Sequence, residues 1–181
     1  AAGFLAVSSG FTLVLGGARS GKSALAERRV LHSAAGRTPV YIATAEAWDD
    51  EMRARISSHR TARDGQGWVT YEAPLDLAKT LMDLPPDTPV LIDCLTLWLT
   101  NHLLAETDLS AASEGLIAAI TAHKGPIVAV ANEVGLGIVP DNALARRFRD
   151  AAGRLNQDLA ARADCVIFVA AGLPLALKGA L

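Results

Sequence analysis

Residues 16–23 read GGARSGKS, and this stretch constrains the chain more than any other. It has the spacing G-x-x-x-x-G-K-[ST] of a phosphate-binding loop. Its flanks agree: an apolar β-type run at 11–15 enters the loop, and a helix-forming run at 23–29 leaves it. Glycines let successive backbone N–H groups point at one spot without Cβ interference, and the helix N-terminus behind them favours an anion there. In such a loop Lys22 reaches the β- and γ-phosphates and the Ser23 hydroxyl binds Mg²⁺. The alternative is a Gly-rich turn that matches by chance, and the strand before and helix after argue against it.

The remaining chain alternates in the same way. β-type runs occur at 11–15, 40–43, 68–72, 90–94, 127–131 and 165–170, with a short last one near 175–178. Helical patterns fill 22–34, 49–63, 75–82, 95–105, 111–123 and 141–163. Several strands are apolar throughout, as parallel strands covered on both faces are. The expected fold is α/β: a doubly wound, mostly parallel sheet with helices on both faces, formed by 1–181 as a single domain. In the last long helix Leu144, Phe148, Ala152, Leu155 and Leu159 recur on one face, and Pro140 suits its start.

Bulk properties exclude several classes. With 51% hydrophobic and 20% charged residues, disorder is excluded. A formal net charge of −2 gives no global attraction for nucleic acid or anionic membrane. No apolar run reaches the length of a membrane span. Residues 1–10 are small and apolar without a basic flank, so they do not read as a targeting segment. Cys94 and Cys165 lie in apolar runs and form neither a disulfide framework nor a metal site, which fits a reducing, cytoplasmic setting.

A phosphate loop needs a second Mg²⁺ partner, and Asp93 at the end of the apolar run 90–92 supplies a carboxylate; a plain strand-end cap is the alternative. The segment 49–63, DDEMRARISSHRTAR, places Glu51, Arg55, His59 and Arg63 on one helix face, with Arg60 at its border. Unprotonated imidazole attacks phosphorus, so His59 among arginines reads either as a nucleophile beside a polyphosphate or as an incidental member of a solvated basic face. His32, His102 and His123 lack such surroundings and read as structural or solvent-facing. Trp48, Trp68 and Trp98 read as packing or nucleobase-edge aromatics. The polar, Gly-rich segment 132–140 follows a strand, where α/β proteins place ligand sites. Residues 64–67 match D-x-x-G, a weak switch pattern, and no N-K-x-D guanine motif accompanies it.

Taken together these segments resemble one family, the bifunctional adenosylcobinamide kinase/adenosylcobinamide-phosphate guanylyltransferases of cobalamin biosynthesis. The resemblance rests on GGARSGKS at 16, YIATA at 41, DDEMRARISSHRTAR at 49, W-x-x-x-E at 68–72, LIDCLTLWLTN at 91 and NEVGLGIVPDNALARRFRDAAGRLNQDLA at 132. It covers nearly the whole chain in order, and the last block is the most specific. It implies a P-loop core like that of recombinase-type ATPases, Mg²⁺ as cofactor, ATP and GTP as substrates, and a corrinoid substrate. It also implies a homo-oligomer, with a trimer favoured. The implied chemistry is twofold: phosphorylation of the aminopropanol hydroxyl of adenosylcobinamide, with Lys22 on the transferred phosphates, and transfer of GMP through a guanylylated His59. The implied nucleotide contacts are Gly16, Gly17, Ala18, Arg19, Ser20, Gly21, Lys22, Ser23, Thr44, Ala45, Glu46, Arg60, Thr61, Ala62, Arg63, Glu72 and Asp93, with Ser23 and Asp93 on the metal. Ser58 stands where some relatives carry a second histidine. The competing readings are a single-function small-molecule or nucleotide kinase and a non-catalytic nucleotide switch.

Overall fold

The computed structural model describes residues 10–181, so the reading of the N-terminal segment lies largely outside the described residues. The elements are β1 (Phe11–Gly16), α1 (Lys22–Ser33), β2 (Val40–Ala43), α2 (Asp50–Asp64), β3 (Val69–Glu72), α3 (Leu77–Asp83), β4 (Val90–Asp93), α4 (Leu95–Leu104), α5 (Leu109–Ala122), β5 (Ile127–Asn132), α6 (Ala143–Arg162), β6 (Cys165–Ala170) and β7 (Leu173–Lys178). Seven strands form one sheet in the order β3-β2-β4-β5-β1-β6-β7. All neighbours pair in parallel except β6 with β7, which is antiparallel. The expected doubly wound α/β sheet is therefore present. Its last strand differs: a tight turn with Ala171 and Gly172 at positive φ returns the chain as a hairpin rather than through a crossover helix.

Alternation along the strands sorts side chains into two cores. Phe11, Leu13 and Leu15 of β1 face the layer that includes Leu77, Trp98, Leu116 and Leu155 from α3 to α6. Val14 faces the other side, with Leu25, Ala26 and Val30 of α1. Four helices thus cover one face, whereas α1 alone supplies apolar helix residues to the buried core of the second. The helix α2 has a single buried residue, Arg63. A polar helix cannot seal a sheet face by apolar packing, and this leaves open space between α2, α1 and the strand ends.

Several element ends move from their expected places for local reasons. Asp49 is the N-cap of α2, accepting from Met52 N–H at 2.7 Å. Asn142, rather than Pro140, caps α6 and accepts from Ala145 N–H at 2.7 Å. Leu144 is 53% exposed, which corrects its assignment to the inner face: the buried residues of α6 are Ala152, Leu155 and Leu159, with partly buried Phe148 packed against the same core. The D-x-x-G residues Asp64 to Gly67 form the turn that ends α2, with Gly67 N–H donating to Asp64 O. That turn precedes the first residue of β3, which pairs with Val40, so it lies at the sheet end opposite the phosphate loop. A switch role is excluded by position.

Trp98 is 1% exposed, donates its indole N–H to Leu75 O at 3.0 Å and meets His102 edge-on. Trp98→Ala should lower unfolding stability by about 3–5 kcal/mol, measured by urea titration.

Candidate nucleotide site

The loop after β1 adopts the conformation its glycines permit. Gly21 has φ 91°, and a Cβ there would lie 3.2 Å from Gly172 Cα of the β6–β7 turn. Gly172 N–H donates to Ser20 O at 2.8 Å, fastening that turn to the loop. At Gly16 a Cβ would lie 2.5 Å from Ser20 Oγ and 2.6 Å from Val169 O, so only glycine fits. Lys22 is buried, and its ammonium donates to Gly17 O at 2.9 Å, folded over the loop. Ser23 follows it in the first turn of α1 and faces a cavity.

Asp93 ends β4. β5 lies between β1 and β4, so Asp93 is one strand further from the loop than an immediate neighbour. It still faces the same cavity as Ser23, which has a volume of about 440 Å³, a size typical of small-ligand sites. The Tyr41 hydroxyl donates to the Asp93 carboxylate. Burial first, and then the Asp93 charge, push the Tyr41 phenol far above its ordinary range, so it remains a donor. Arg63 stacks on the Tyr41 ring, 3.8 Å from its centroid, and Trp68 meets that ring edge-on at 5.7 Å.

Met52, Arg55, Ile56, His59 and Arg63 line the opposite wall from α2. Steps of three and four residues put them on one helix face. Arg55, His59 and Arg63 thus share the face that their spacing predicts. Glu51 does not line the cavity, and Met52 and Ile56 do. His59 is an exposed residue at the mouth rather than a buried one.

Other expected contacts divide. Ala45 lines the cavity; Glu46, Arg60, Thr61, Ala62 and Glu72 do not. Arg60 and Glu72 instead form an exposed ion pair at 3.4 Å. Thr44 is fully buried, and its polar groups are engaged within the protein: the hydroxyl donates to Cys94 O at 2.6 Å and accepts from Cys94 N–H at 2.9 Å, its N–H donates to Asp93 O, and its carbonyl accepts from Asn101 at 2.8 Å. It staples the ends of β2 and β4 together, which aligns Ala45 with Asp93. The loop 132–140 stands beside the phosphate loop, with Glu133 N–H donating to Gly16 O at 3.0 Å. Arg149 of α6 donates to the carbonyls of Gly135, Gly137 and Ile138. Of the remaining histidines, His102 and His123 are held by Thr107 Oγ1 and Leu75 O, and by Thr88 O.

One cavity residue escapes motif reading. Glu27 lies four residues after Ser23 on α1 and lines the same space. Burial, then the Asp93 charge, raise its carboxyl above the ordinary value of 4.5, against smaller lowering effects of Arg63, His59 and Arg28. Helical spacing from Ser23 is the signal that could have found it.

Ser23 and Asp93 offer hard oxygen donors to one space, a set that fits Mg²⁺ completed by ligand phosphates. Among the described residues no cluster of three His, Cys, Asp or Glu could hold a metal alone. A larger cavity, about 670 Å³, is walled by Arg147, Asp150, Arg154 and Asp158 of α6 and by parts of α4 and α5. It contains no residue of the phosphate loop, so residue chemistry and not size makes the smaller cavity the candidate.

The raised Glu27 carboxyl has a stability consequence. Its folded value lies above its unfolded one, so ionisation at neutral pH opposes folding. That cost is absent below 4.5 and grows as pH rises through the folded value. Glu27→Gln should therefore be more stable than wild type at pH 7, and thermal melts should show the advantage shrinking as pH falls toward 4.5 and gone below it.

Comparison with known proteins adds a second line of observation. The family described as cobinamide kinase / cobinamide phosphate guanyltransferase matches residues 12–177. The chain is 49% identical over 170 residues to the bifunctional adenosylcobalamin biosynthesis protein CobP of Pseudomonas aeruginosa, covering 92% of this chain and 96% of that one. It is 44% identical to the similarly described CobU of Salmonella typhimurium, covering 92% and 98%. Two solved structures share the fold at low identity. The flagellar accessory protein FlaH of Methanocaldococcus jannaschii has TM-score 0.52 and 14% identity over 94% of this chain and 79% of that one. A second, an ATPase domain, has TM-score 0.50 and 15% identity over 88% and 69%.

Proposed function

The chain belongs to the cobinamide kinase / cobinamide phosphate guanyltransferase family, and from that premise we propose that its loop-side cavity carries both reactions. The observation that supports this reading is that Ser23 of the phosphate loop, Asp93 and His59 wall one space.

In the kinase reaction, residues 16–23 hold the triphosphate of ATP or GTP through backbone N–H groups. Lys22 leaves Gly17 O for the phosphates, and Ser23 and Asp93 hold Mg²⁺, which offsets charge on the phosphate oxygens when bound. The γ-phosphoryl passes to the aminopropanol hydroxyl of adenosylcobinamide. In the transferase reaction, an imidazole nitrogen of His59 attacks the α-phosphorus of GTP, and pyrophosphate leaves. The phosphate of adenosylcobinamide phosphate then attacks the same phosphorus, releasing His59 and giving adenosyl-GDP-cobinamide. The covalent step divides one displacement between anions into two easier ones. Arg55 and Arg63 flank His59 with fixed positive charge for the α-phosphate oxygens.

Ala45 contacts nucleotide directly in this reading, whereas Thr44 acts through the strand ends it joins. Glu46, Arg60, Thr61, Ala62 and Glu72 do not line the cavity and reach nucleotide only if it extends beyond the present walls. Exposed Leu136, Ile138 and Val139 on the loop and Leu173, Leu175 and Leu177 on β7 are apolar surface of the kind a subunit contact covers, which supports a homo-oligomer; the family resemblance favours a trimer. Two buried free thiols fit a cytoplasmic enzyme, and no described helix is long and apolar enough to cross a membrane.

Incubation with α-labelled GTP and Mg²⁺ should leave acid-labile, alkali-stable label on the wild-type protein. His59→Ala should abolish it while retaining phosphorylation of adenosylcobinamide. Phosphorylation without any label on wild type would reduce the activity to a kinase. Lys22→Ala should lower both reactions by about 10²-fold or more, the scale expected when a charge on the developing phosphate anion is removed.

A further inference from the structure

Phosphorylating a hydroxyl requires that its proton go somewhere as the new O–P bond forms. Among the described residues lining the cavity, three side chains can take a proton: Asp93, His59 and Glu27. Asp93 already accepts the Tyr41 hydroxyl and is a donor to the metal in the reading above. His59 serves the other half-reaction from the α2 wall. Glu133 lies near the loop, but it does not line the cavity and accepts from Gly135 N–H at 2.6 Å.

Among the described residues, Glu27 makes no side-chain hydrogen bond or ion pair, and the charges nearest it are those of Asp93, Arg63, His59 and Arg28. It is partly buried on the face of α1 that begins with Ser23, one helical turn beyond the loop. Leu25, Ala26 and Val30 of α1 are buried in the core and fix the rotation of the helix, which leaves Glu27 at the cavity wall beside Ser23. An unpartnered, partly desolvated carboxylate costs stability, and such a group at a cavity wall is common where proton transfer occurs.

We propose that Glu27 is the catalytic general base of the kinase half-reaction, accepting the proton of the acceptor hydroxyl. This rests on the functional reading above. The hydroxyl oxygen bonds to the γ-phosphorus, and its proton passes to a Glu27 carboxylate oxygen. The bond from that phosphorus to the β,γ-bridging oxygen breaks, and the electron pair leaves on the nucleoside diphosphate. Glu27 then returns the proton to solvent at the cavity mouth. The two reactions thereby use different side chains in one space: Glu27 on α1 for phosphorylation, and His59 on α2 for guanylyl transfer.

The test separates the half-reactions in single variants. Glu27→Gln and Glu27→Asp are assayed for phosphorylation of adenosylcobinamide with Mg²⁺ and ATP, and for self-guanylylation with Mg²⁺ and labelled GTP. Glu27→Gln should lose about 10²-fold or more in kinase kcat, the usual scale for a missing general base. Its KM for ATP should stay near wild type, its labelling of His59 should persist, and Glu27→Asp should recover part of the rate. Kinase kcat unchanged in Glu27→Gln overturns the base role alone. Loss of both half-reactions together, or a change confined to KM, overturns it in favour of a structural or metal-binding role. A wild-type enzyme that phosphorylates no adenosylcobinamide overturns the functional reading, and the base role with it.

Discussion

Tyr41 joins the two halves of the site. Its hydroxyl donates to Asp93 at the end of β4, and its ring carries the Arg63 guanidinium of α2. Arg63 is the one residue of α2 that is buried. Apart from the partly buried Met52 and Ile56, the remainder of that helix is exposed, so it gains little from apolar packing, and the cation–π contact is worth only about 0.5–2 kcal/mol. The placement of His59, one turn before Arg63, therefore depends on the Tyr41 ring, whose hydroxyl is tied to the carboxylate expected to hold metal, and on the exposed Arg60–Glu72 pair. Tyr41 thus connects Asp93 to the histidine-bearing helix directly.

This weak attachment contrasts with the rest of the molecule. The sheet face covered by α3, α4, α5 and α6 is closed by large buried side chains, including Trp98, Leu77, Leu116 and Leu159. On the reverse face α1 packs tightly while α2 spans open space. Rigid support beneath the phosphate loop and a loosely held wall opposite it suit a site that must receive a nucleotide and then a bulky acceptor. The polar groups of the site follow the same division. Lys22, Ser23 and Glu27 ride on the rigid helix, and Arg55, His59 and Arg63 on the loosely held one.

The phosphate loop, the parallel strands and Asp93 were legible because each depends on local chemistry: glycines where backbone must approach an anion, continuous apolar runs where both faces are covered, an acid where a strand ends. His59 was legible as one of two readings, and the family resemblance is what favours the nucleophile over the solvated face. What could not be read depended on tertiary context. Thr44 follows a strand like any ligand-contacting residue, yet Cys94 and Asn101 take up its polar groups. Glu27 looks like an ordinary helix-surface acid until the sheet turns its face toward Asp93. Leu144 has the right period but precedes the point where α6 meets the core. β7 alternates like a strand, and nothing in its own residues says that it runs antiparallel; the turn at Ala171 and Gly172 decides that.

The account stands on one distance, between an imidazole nitrogen of His59 and the α-phosphorus of a nucleotide held by the Gly16–Ser23 loop. A crystal structure of the protein with Mg²⁺ and a GTP analogue that resists attack at that phosphorus measures it directly. The account predicts a separation of about 3–3.5 Å, in line with the bond to the departing pyrophosphate. Phosphates seated on the loop with His59 still facing solvent, and the α-phosphorus beyond reach of α2, would contradict it.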